Sequence, residues 1–413
     1  MLRGPESNGG GAPQPAVTWS RPEPFGAWVR LGDATLIAVD APLAQRLGVA
    51  HSHTAHGAPR PLELHLAVTT RCPAPCEGCY LDARPDGHAP PLADILARLD
   101  EARAAGVSTV AFGGGEPLTR PDLGEIAAHA RALGLVPVLT TSGIGLHEAQ
   151  AHALRAFAQI NVSHDGIGEA YERVRGFDGR AHAERAIRLL TAEGIATGVN
   201  VVLTRDTLST LEASADHLAT LGAVEIQLLR NKPAGRAVGE GYAERRLRPD
   251  QVSALWPTIR RIIEARRLRV RIDCAMVPLL SASLLDEGHA PALLEALGIF
   301  GCEAARHLGA MRADGCAAAC SFFSLPTKDT PVSLSLARAA PALPLATAWD
   351  DDSELARFRA YHAAPPEPCR SCALFNVCRG GCQVVSRHET GGALAPDPEC
   401  PRVLAHAHAR PAP

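Results

Sequence analysis

The chain has 413 residues, of which 46% are hydrophobic, so it is long enough to bury a sizeable core and to form two or more domains. Its formal net charge is −3 and its aromatic content is 4%, which argues against a nucleic-acid partner, since that would need a basic field or aromatic stacking surfaces. No uninterrupted apolar run approaches the length of a membrane span, so no membrane partner is expected.

The twelve cysteines are the most informative part of the composition. Residues 1–14 lack the apolar stretch of a signal peptide, and a cytoplasmic location is therefore expected. Clustered cysteines in a cytosolic chain indicate metal binding rather than disulfide bonds.

The first predicted elements form a small unit ahead of the main repeat. Residues 1–20 are predicted to be disordered because they are rich in Gly, Pro and Ser. Residues 21–57 are predicted to form a hairpin and a short helix, with strands at Ala27–Leu31 and Thr35–Val39 and a helix at Ala41–Leu47.

Within a predicted core at residues 58–275, strand-like and helix-like segments alternate six times between Pro61 and Arg236. The predicted strands are Leu62–Thr69, Ser108–Gly113, Leu135–Thr141, Gln159–Ser163, Gly198–Thr204 and Glu225–Arg230. The helix-like segments have apolar residues three and four positions apart; they are Leu92–Ala105, Leu123–Leu133, Ala151–Phe157, Ala183–Leu190 and Leu211–Leu221. The alternation is typical of parallel βα units, and six units are fewer than the eight of a closed barrel. The predicted fold class is therefore α/β, a partial (β/α)6 TIM barrel.

Three chemically distinctive segments follow the ends of predicted strands. The loop Arg71–Tyr80 follows the first strand, the run Gly113–Glu116 follows the second, and Ser163 ends the fourth. The C-terminal ends of the strands form the functional face of such barrels. These segments are therefore expected to meet at one end of the sheet.

The loop after the first strand carries Cys72, Cys76 and Cys79 in a C-x3-C-x2-C spacing. Three thiolates can hold three irons of a cubic iron–sulfur cluster and leave the fourth iron open for a substrate or cofactor. A structural zinc or a disulfide pair is the alternative, but zinc sites usually supply four ligands in two pairs and no fourth ligand lies nearby.

These cysteines, with Tyr80 after the last of them and the Gly-Gly-Glu run at the next strand end, resemble the radical S-adenosylmethionine (SAM) superfamily, and the resemblance covers roughly residues 60–275. The resemblance implies a 4Fe–4S cluster on the three cysteines, with SAM bound at its open iron. It also implies reductive cleavage of SAM to a 5′-deoxyadenosyl radical that abstracts hydrogen from the substrate. The electron would come from an external one-electron reductant of flavodoxin or ferredoxin type.

The resemblance also implies a set of SAM-binding residues. Gly113, Gly114 and Gly115 would let the backbone approach the methionine part of SAM, and the Glu116 carboxylate would accept from its ammonium group. Ser163 would face the ribose, with a strand-end cap as the alternative. Arg175, in an Arg-Gly pair, would approach the SAM carboxylate. Asp165 is interpreted as a turn residue.

A second cysteine-rich region at residues 301–405 follows a bridging segment at 276–300 and precedes a short tail at 406–413. Its cysteines are spaced C-x12-G-x4-C, then C-x2-C-x5-C-x3-C, then a final cysteine at position 400. These thiols are too many for one cluster, and disulfide bonds would be the alternative in a secreted chain.

This spacing resembles the SPASM extension of radical SAM enzymes, which carries two auxiliary 4Fe–4S clusters. The resemblance assigns auxiliary cluster II to Cys369, Cys372, Cys378 and Cys400, and auxiliary cluster I to Cys302, Cys320 and Cys382. The fourth ligand of cluster I stays open between Cys316, His307 and an iron without a protein ligand. Cys274 fits neither pattern and is interpreted as a buried thiol or as a residue that faces the substrate.

The predicted function is a radical SAM/SPASM enzyme, an oxidoreductase-like maturase that acts on a peptide or protein, because most SPASM relatives modify ribosomal peptides or mature other enzymes. Sulfatase maturation is disfavoured, since relatives of that kind carry Asp where this chain has Ser321. The alternatives are modification of a small haem-type or quinone-type cofactor precursor, and a non-catalytic iron–sulfur protein for electron transfer or sensing.

Overall fold

The computed structural model describes residues 16–23, 25–32, 35–50, 60–238, 240–296, 300–323, 343–391 and 394–409. Residues 1–57 and residues 58–413 form two compact units. Among the described residues, no helix combines the length and the apolar character that a membrane crossing requires.

The N-terminal unit is an antiparallel sheet with one short helix. Its strands are β1 (Val17–Glu23), β2 (Gly26–Leu31) and β3 (Thr35–Asp40), in the order β1-β2-β3, and its helix is α1 (Ala41–Arg46). The carboxylate of Asp40 accepts from the amide of Leu43 at 2.8 Å and so caps α1.

The prediction that residues 1–20 are disordered is wrong for residues 17–20, which belong to β1 and pair with β2. Pairing supplies the backbone hydrogen bonds that make this polar stretch a strand, and composition alone cannot reveal a pairing partner. Residues 1–15 lie outside the described part of the chain.

The larger unit is built on one mixed sheet, which has nine strands in the described part of the chain. Its strands are β4 (Glu63–Thr69), β5 (Thr109–Gly114), β6 (Val136–Thr141), β7 (Gln159–Ser163), β8 (Thr197–Leu203), β9 (Glu225–Arg230), β10 (Arg269–Ile272), β11 (Leu308–Met311) and β12 (Ala317–Ala318). Strands β4 to β9 are neighbours in chain order and all parallel, which confirms the predicted partial barrel.

Helices follow the strands as the apolar spacing predicts. They are α2 (Leu92–Ala104), α3 (Leu123–Ala132), α4 (Glu148–Ala153), α5 (Glu169–Arg175), α6 (Arg180–Ala192), α7 (Arg205–Ser209), α8 (Leu211–Thr220), α9 (Glu240–Arg245), α10 (Pro249–Ala265), α11 (Val277–Asp286) and α12 (Pro291–Ala296). Further helices lie at Leu345–Asp351, Ser353–Ala363, Phe375–Cys378, Gln383–Thr390 and Pro401–Ala409.

The two faces of the barrel strands differ in polarity. On β4 the alternate residues Leu64, Leu66 and Val68 are buried and belong to one core with helix residues such as Ile95 and Leu99. Burying this apolar face fixes the strand register, because a slip of one residue would turn it toward the opposite side.

Both edges of the sheet extend beyond the six predicted units. Strand β10 pairs with β9 in parallel, and β11 pairs in parallel with β4 on the other side. Strand β12 then forms an antiparallel hairpin with β11. The first part of the second cysteine-rich region is thus continuous with the barrel sheet, which the sequence did not predict.

Candidate functional site

The cysteine loop, Arg71–Tyr80, directly follows β4. The amide of Cys72 donates to the carbonyl oxygen of Arg84 at 2.9 Å, which joins the start of the loop to the segment after it. Cys72 is buried, Cys76 and Cys79 are half-buried, and all three are free thiols around one small apolar cluster. Burial, followed by the charges of Glu116, Cys76 and Cys79, raises the pKa of Cys72 to about 11.

Arg236 holds this loop in place, although the sequence did not assign it to the site. It lies in the 3-10 turn after β9, and its guanidinium donates to the carbonyl oxygens of Cys76 at 3.0 Å and Ala83 at 2.8 Å. Its amide donates to the carbonyl oxygen of Cys79 at 2.9 Å. The preceding Gly235 leaves room for this contact, because a Cβ there would come within 2.3 Å of the loop backbone.

Arg175 connects the same loop to a buried carboxylate. Its Nε donates to Asp165 at 2.5 Å, and its Nη1 lies 3.7 Å from the sulfur of Cys76. Asp165, interpreted from the sequence as a turn residue, is instead fully buried and also accepts from the amide of Val202 at 2.7 Å. Burial lowers the pKa of Arg175, but the charges of Asp165 and Cys76 outweigh it, and the pKa lies above its ordinary value.

The residue after Arg175 must be glycine because of its backbone conformation and its close contact with the cysteine loop. Gly176 ends α5 in the left-handed conformation, with φ of +76°, and a Cβ at this position would meet the Glu77 side chain at 2.5 Å. The amide of Glu77 in turn donates to the carbonyl oxygen of Arg175 at 3.1 Å. Glycine therefore allows the end of α5 to lie directly against the cysteine loop.

The glycine run at the end of β5 packs against the start of the cysteine loop. A Cβ on Gly114 would come within 2.2 Å of the Thr69 carbonyl oxygen, and one on Gly115 within 2.2 Å of the Arg71 carbonyl oxygen. A Cβ on Gly113 would have nothing within 4 Å. Two of the glycines are thus needed for close backbone packing, whereas Gly113 borders open space.

Glu116 is buried, and hydrogen bonds inside the protein occupy its carboxylate. Oε1 accepts from the amide of Leu118 at 3.0 Å and from the Thr141 hydroxyl at 2.6 Å. Oε2 accepts from the amide of Ser142 at 2.7 Å and from its hydroxyl at 2.5 Å. In this structure Glu116 therefore ties the end of β5 to the end of β6.

Ser163 lies half-buried at the end of β7, opposite Asn200 of β8, and tops a ladder of polar side chains. The Asn161 amide donates to Asn200 at 2.9 Å and to Gln227 at 3.1 Å, and Asn200 donates to Thr140 at 3.4 Å. This ladder was not predicted from the sequence. The polar alternation along Gln159–Ser163 was the available signal, since alternate strand residues share a face.

The later cysteines fall into two groups. Four of them line one cavity of about 400 Å³ beside Asp397: Cys369, Cys372, Cys378 and Cys400. Burial raises the pKa of the Cys369 thiol to about 11 and also raises the pKa of Cys378 and Cys400.

The second group comprises Cys302, Cys320 and Cys382, which lie in and against one apolar cluster. Burial raises the pKa of all three thiols, that of Cys320 to about 12, and the charge of Cys382 raises those of Cys302 and Cys320 further. The charge of Cys320 also raises the pKa of Cys302.

Cys316 and His307, the two fourth-ligand candidates, lie elsewhere on the hairpin. Cys316 precedes β12 at the turn, where its amide donates to Asp314 at 3.0 Å, and its charge acts on Arg98 of α2. The carbonyl oxygen of His307 accepts from the amides that begin β4.

The donors in each group are thiols, which are the ligands that iron–sulfur clusters take from proteins. Among the described residues, no three His, Cys, Asp or Glu side chains are arranged to hold one metal ion. A cubic cluster spreads its thiolates over separate irons and so needs wider spacing. Its positive irons would also compensate the charge that makes deprotonation of these buried thiols costly.

An open barrel of parallel βα units, with a three-cysteine loop and a glycine run at neighbouring strand ends, defines the class of radical SAM enzymes. Residues 66–218 match the family model described as the radical SAM superfamily. The chain is 31% identical over 357 residues to a PqqA peptide cyclase of Streptomyces rochei, covering 82% of this chain and 89% of that protein. The chain belongs to the radical SAM superfamily, whose members use SAM and a 4Fe–4S cluster, and the family prediction is confirmed.

Two solved structures share the fold. SuiB of Streptococcus suis bound to its precursor peptide SuiA matches with a TM-score of 0.67 and 16% identity, covering 92% of this chain and 96% of that one. Native anSMEcpe with bound AdoMet matches with a TM-score of 0.60 and 18% identity, covering 85% of this chain and 100% of that one. The likeness extends well beyond the barrel residues of the family model.

Proposed function

We propose that this radical SAM enzyme modifies a peptide substrate. The observation that carries the proposal is the similarity to a PqqA peptide cyclase, which spans 89% of that protein rather than the barrel alone. The fold likeness to SuiB in its complex with a precursor peptide supports the same substrate class.

The SAM-binding 4Fe–4S cluster is assigned to Cys72, Cys76 and Cys79. The support is that the loop carries three free thiols around one apolar cluster and is braced by Arg236. When bound, the cluster and SAM supply the 5′-deoxyadenosyl radical that abstracts hydrogen from the substrate. The protein holds the loop through the hydrogen bonds of Arg236 and keeps Cys72 out of water.

SAM is expected beside Gly113, whose missing side chain leaves open space, and near Ser163 and Arg175. Because hydrogen bonds already occupy the Glu116 carboxylate, its expected bond to the SAM ammonium would require one of them to be shared. The carbonyl groups of Gly114 and Gly115 offer the ammonium alternative acceptors.

Two auxiliary 4Fe–4S clusters are assigned to the C-terminal region. Cluster II would occupy the cavity of about 400 Å³ that all four of its expected ligands line. Cluster I would bind to Cys302, Cys320 and Cys382, which lie in and against one apolar cluster. Such clusters can take up the electron that a substrate radical releases, and an external reductant of flavodoxin or ferredoxin type would prime the first cluster.

Anaerobic reconstitution tests the proposal. The enzyme would be incubated with SAM, a one-electron reductant and short peptides encoded beside its gene. We expect 5′-deoxyadenosine together with a mass change in one of the peptides. The variant Cys72→Ala/Cys76→Ala/Cys79→Ala should form neither product while it retains the iron of the auxiliary clusters.

Two outcomes would contradict the peptide proposal. One is SAM cleavage that no peptide stimulates and that leaves every peptide mass unchanged. The other is consumption of a small haem-type or quinone-type precursor under the same conditions.

A further inference from the structure

The strands at the two edges of the large sheet are each followed by a cysteine. Cys274 comes two residues after the end of β10, and Cys320 comes two residues after the end of β12. In the described part of the chain, these two strands are the outer members of the sheet. A group that bound both cysteines would therefore bridge the open side of the barrel.

We propose that Cys274 is the fourth thiolate ligand of auxiliary cluster I, together with Cys302, Cys320 and Cys382. This inference rests on the proposed function, which assigns a 4Fe–4S cluster to the latter three cysteines. Four thiolates complete the coordination of such a cluster.

A buried ion pair holds the backbone beside Cys274 close to Cys382. Arg230, at the end of β9, donates to the carbonyl oxygen of Ala275 at 3.0 Å and to Asp397 at 2.5 and 3.0 Å. Asp397 accepts from the amide of Cys382 at 2.8 Å. Arg230 and Asp397 thus connect Ala275, the residue after Cys274, to Cys382 through direct hydrogen bonds.

A second contact leads to the cysteine on the other edge. The ammonium of Lys232 pairs with Asp273 and lies over the ring of Phe322, 4.5 Å from its centre. Asp273 directly precedes Cys274, and Phe322 follows Cys320 by two residues. Lys232 therefore bridges the two segments that carry the edge cysteines.

The surroundings of the Cys274 thiol agree with this position. Ala275 belongs to the same apolar cluster as Cys302 and Cys382. Burial raises the pKa of Cys274 well above its ordinary value, and the charges of Asp273, Cys302 and Cys382 raise it further while Lys232 opposes them. Each thiol would lose its proton as it binds iron.

Cys316 is less suitable because of its place on the hairpin. It precedes β12, whereas Cys320 follows that strand, so the two cysteines lie at opposite ends of the same extended segment. The Cys316 amide bonds to Asp314 in the turn, and its charge acts on Arg98 of α2.

A complete set of four thiolates has a functional consequence. Cluster I would have no open iron for a substrate to bind, so it would pass electrons rather than position the peptide. It would also join the segments that follow β10 and β12, which are the outer strands of the sheet in the described part of the chain.

The test uses the full chain in the background of the Cys72→Ala/Cys76→Ala/Cys79→Ala variant, which isolates the auxiliary clusters. Two four-iron clusters correspond to roughly eight irons per chain. Adding Cys274→Ala should remove between one and four of these roughly eight irons. It should also change the Mössbauer spectrum and, after mild oxidation, give the EPR signal of a three-iron cluster. The control variants Cys316→Ala and His307→Gln should retain the iron and the spectrum of their parent.

The outcomes separate the inference from the function on which it rests. Unchanged iron and spectra in Cys274→Ala, with loss in Cys302→Ala, would overturn the assignment of Cys274 alone. Unchanged iron in both Cys302→Ala and Cys382→Ala would overturn the assignment of cluster I itself, and with it that part of the proposed function.

Alkylation of the unmutated holoenzyme provides a second measurement if Cys274→Ala fails to fold. Mass spectrometry should find Cys274 protected together with Cys302, Cys320 and Cys382, and all four modified after iron is chelated. Modification of Cys274 at an equal rate before and after chelation would overturn the proposal.

Discussion

Arg175 lies between the fully buried carboxylate of Asp165 and the sulfur of Cys76, so its positive charge acts on both groups. Its Nε donates to Asp165 at 2.5 Å and its Nη1 lies 3.7 Å from the sulfur of Cys76. Hydrogen bonds to cluster sulfurs tune reduction potentials, and groups that orient the ligands typically affect activity by roughly 10- to 100-fold.

Replacing Arg175 by Gln should therefore lower the rate of 5′-deoxyadenosine formation by roughly 10- to 100-fold, because it leaves Asp165 buried without its cation. Removing a positive donor should also shift the midpoint potential of this cluster to more negative values, measured by EPR-monitored titration. Arg173→Gln is the matched control, since Arg173 lies on the same helix but forms only exposed ion pairs. An unchanged potential in Arg175→Gln would show that the contact with Cys76 does not act on the cluster.

His362 makes stability depend on pH. Only 8% of the residue is exposed, and neither ring nitrogen has a hydrogen-bond partner in the described structure. Burial, followed by the charges of Arg306 and Arg379, lowers the pKa of His362 to about 4. An unfolded histidine has a pKa of about 6.5, so the unfolded state takes up the proton first as the pH falls.

The contribution of His362 is therefore fully present above about pH 6.5 and is lost as the pH falls toward about 4, with about 1 kcal/mol lost between pH 7.5 and 5.5. The variant His362→Gln should show a smaller fall in Tm over this interval than the unmodified enzyme, compared anaerobically at equal iron content. His152→Gln, at an exposed position, is the control. Equal falls in Tm for His362→Gln and the unmodified enzyme would contradict the buried neutral imidazole.

At the scale of elements, two glycines at the end of β5 allow the packing of the cysteine loop to be tested separately from SAM binding. A Cβ on Gly115 would come within 2.2 Å of the Arg71 carbonyl oxygen, whereas a Cβ on Gly113 would have nothing within 4 Å. Gly115→Ala should therefore displace the cysteine loop and cost about 2 kcal/mol or more.

The matched variant Gly113→Ala should leave Tm within about one degree of the parent, because no atom has to move. If SAM lies in the open space beside Gly113, this variant should instead weaken SAM affinity by about tenfold, measured by equilibrium binding to the reconstituted enzyme. Unchanged SAM affinity in Gly113→Ala would place the cofactor elsewhere. An unchanged Tm in Gly115→Ala would contradict the tight contact with Arg71.

The same scale shows which elements a sequence reveals. The barrel strands from Glu63 to Arg230 were predicted almost to the residue, because long apolar runs alternate there with amphipathic segments. Strand β1 was missed because it is polar, and β11 and β12 were missed because they are short and rich in Ala and Gly. Such segments become strands through their pairing partners, which a local pattern does not contain.

The candidate site divides in the same way. The cysteine loop and the glycine run are each contiguous in sequence, so spacing alone identified them. The contact of Arg236 with Cys76 joins residues 160 positions apart, and the pair of Asp165 with Arg175 depends on where α5 ends. Contacts of this kind follow from the packed fold rather than from any motif.

At the scale of the larger unit, Arg230 connects the barrel to the region that carries the later cysteines. Its guanidinium forms short bonds with Asp397 and with Glu399, and both it and Asp397 are almost fully buried. Asp397 in turn lines the cavity beside Cys369 and accepts from the amide of Cys382. The buried cation of Arg230, at the end of β9, therefore acts through Asp397 on both of the sites assigned to auxiliary clusters.

Replacing Arg230 by Gln leaves the Asp397 charge buried and unpaired, which typically costs about 3–5 kcal/mol. We expect a fall in Tm of several degrees together with loss of auxiliary iron, because Asp397 would no longer hold the amide of Cys382 and the wall of the cavity in place. Iron analysis and thermal unfolding under anaerobic conditions measure the two effects on the same sample.

Arg261→Gln is the matched control, since Arg261 also binds a carboxylate with two nitrogens, that of Glu212, but on the exposed surface. Exposed pairs contribute little to stability, so neither Tm nor iron content should change measurably in this variant. If Arg230→Gln lowered Tm but kept all auxiliary iron, the ion pair would stabilise the fold without organising the clusters. Loss of iron at an unchanged Tm would instead show that Arg230 acts on the cluster sites alone.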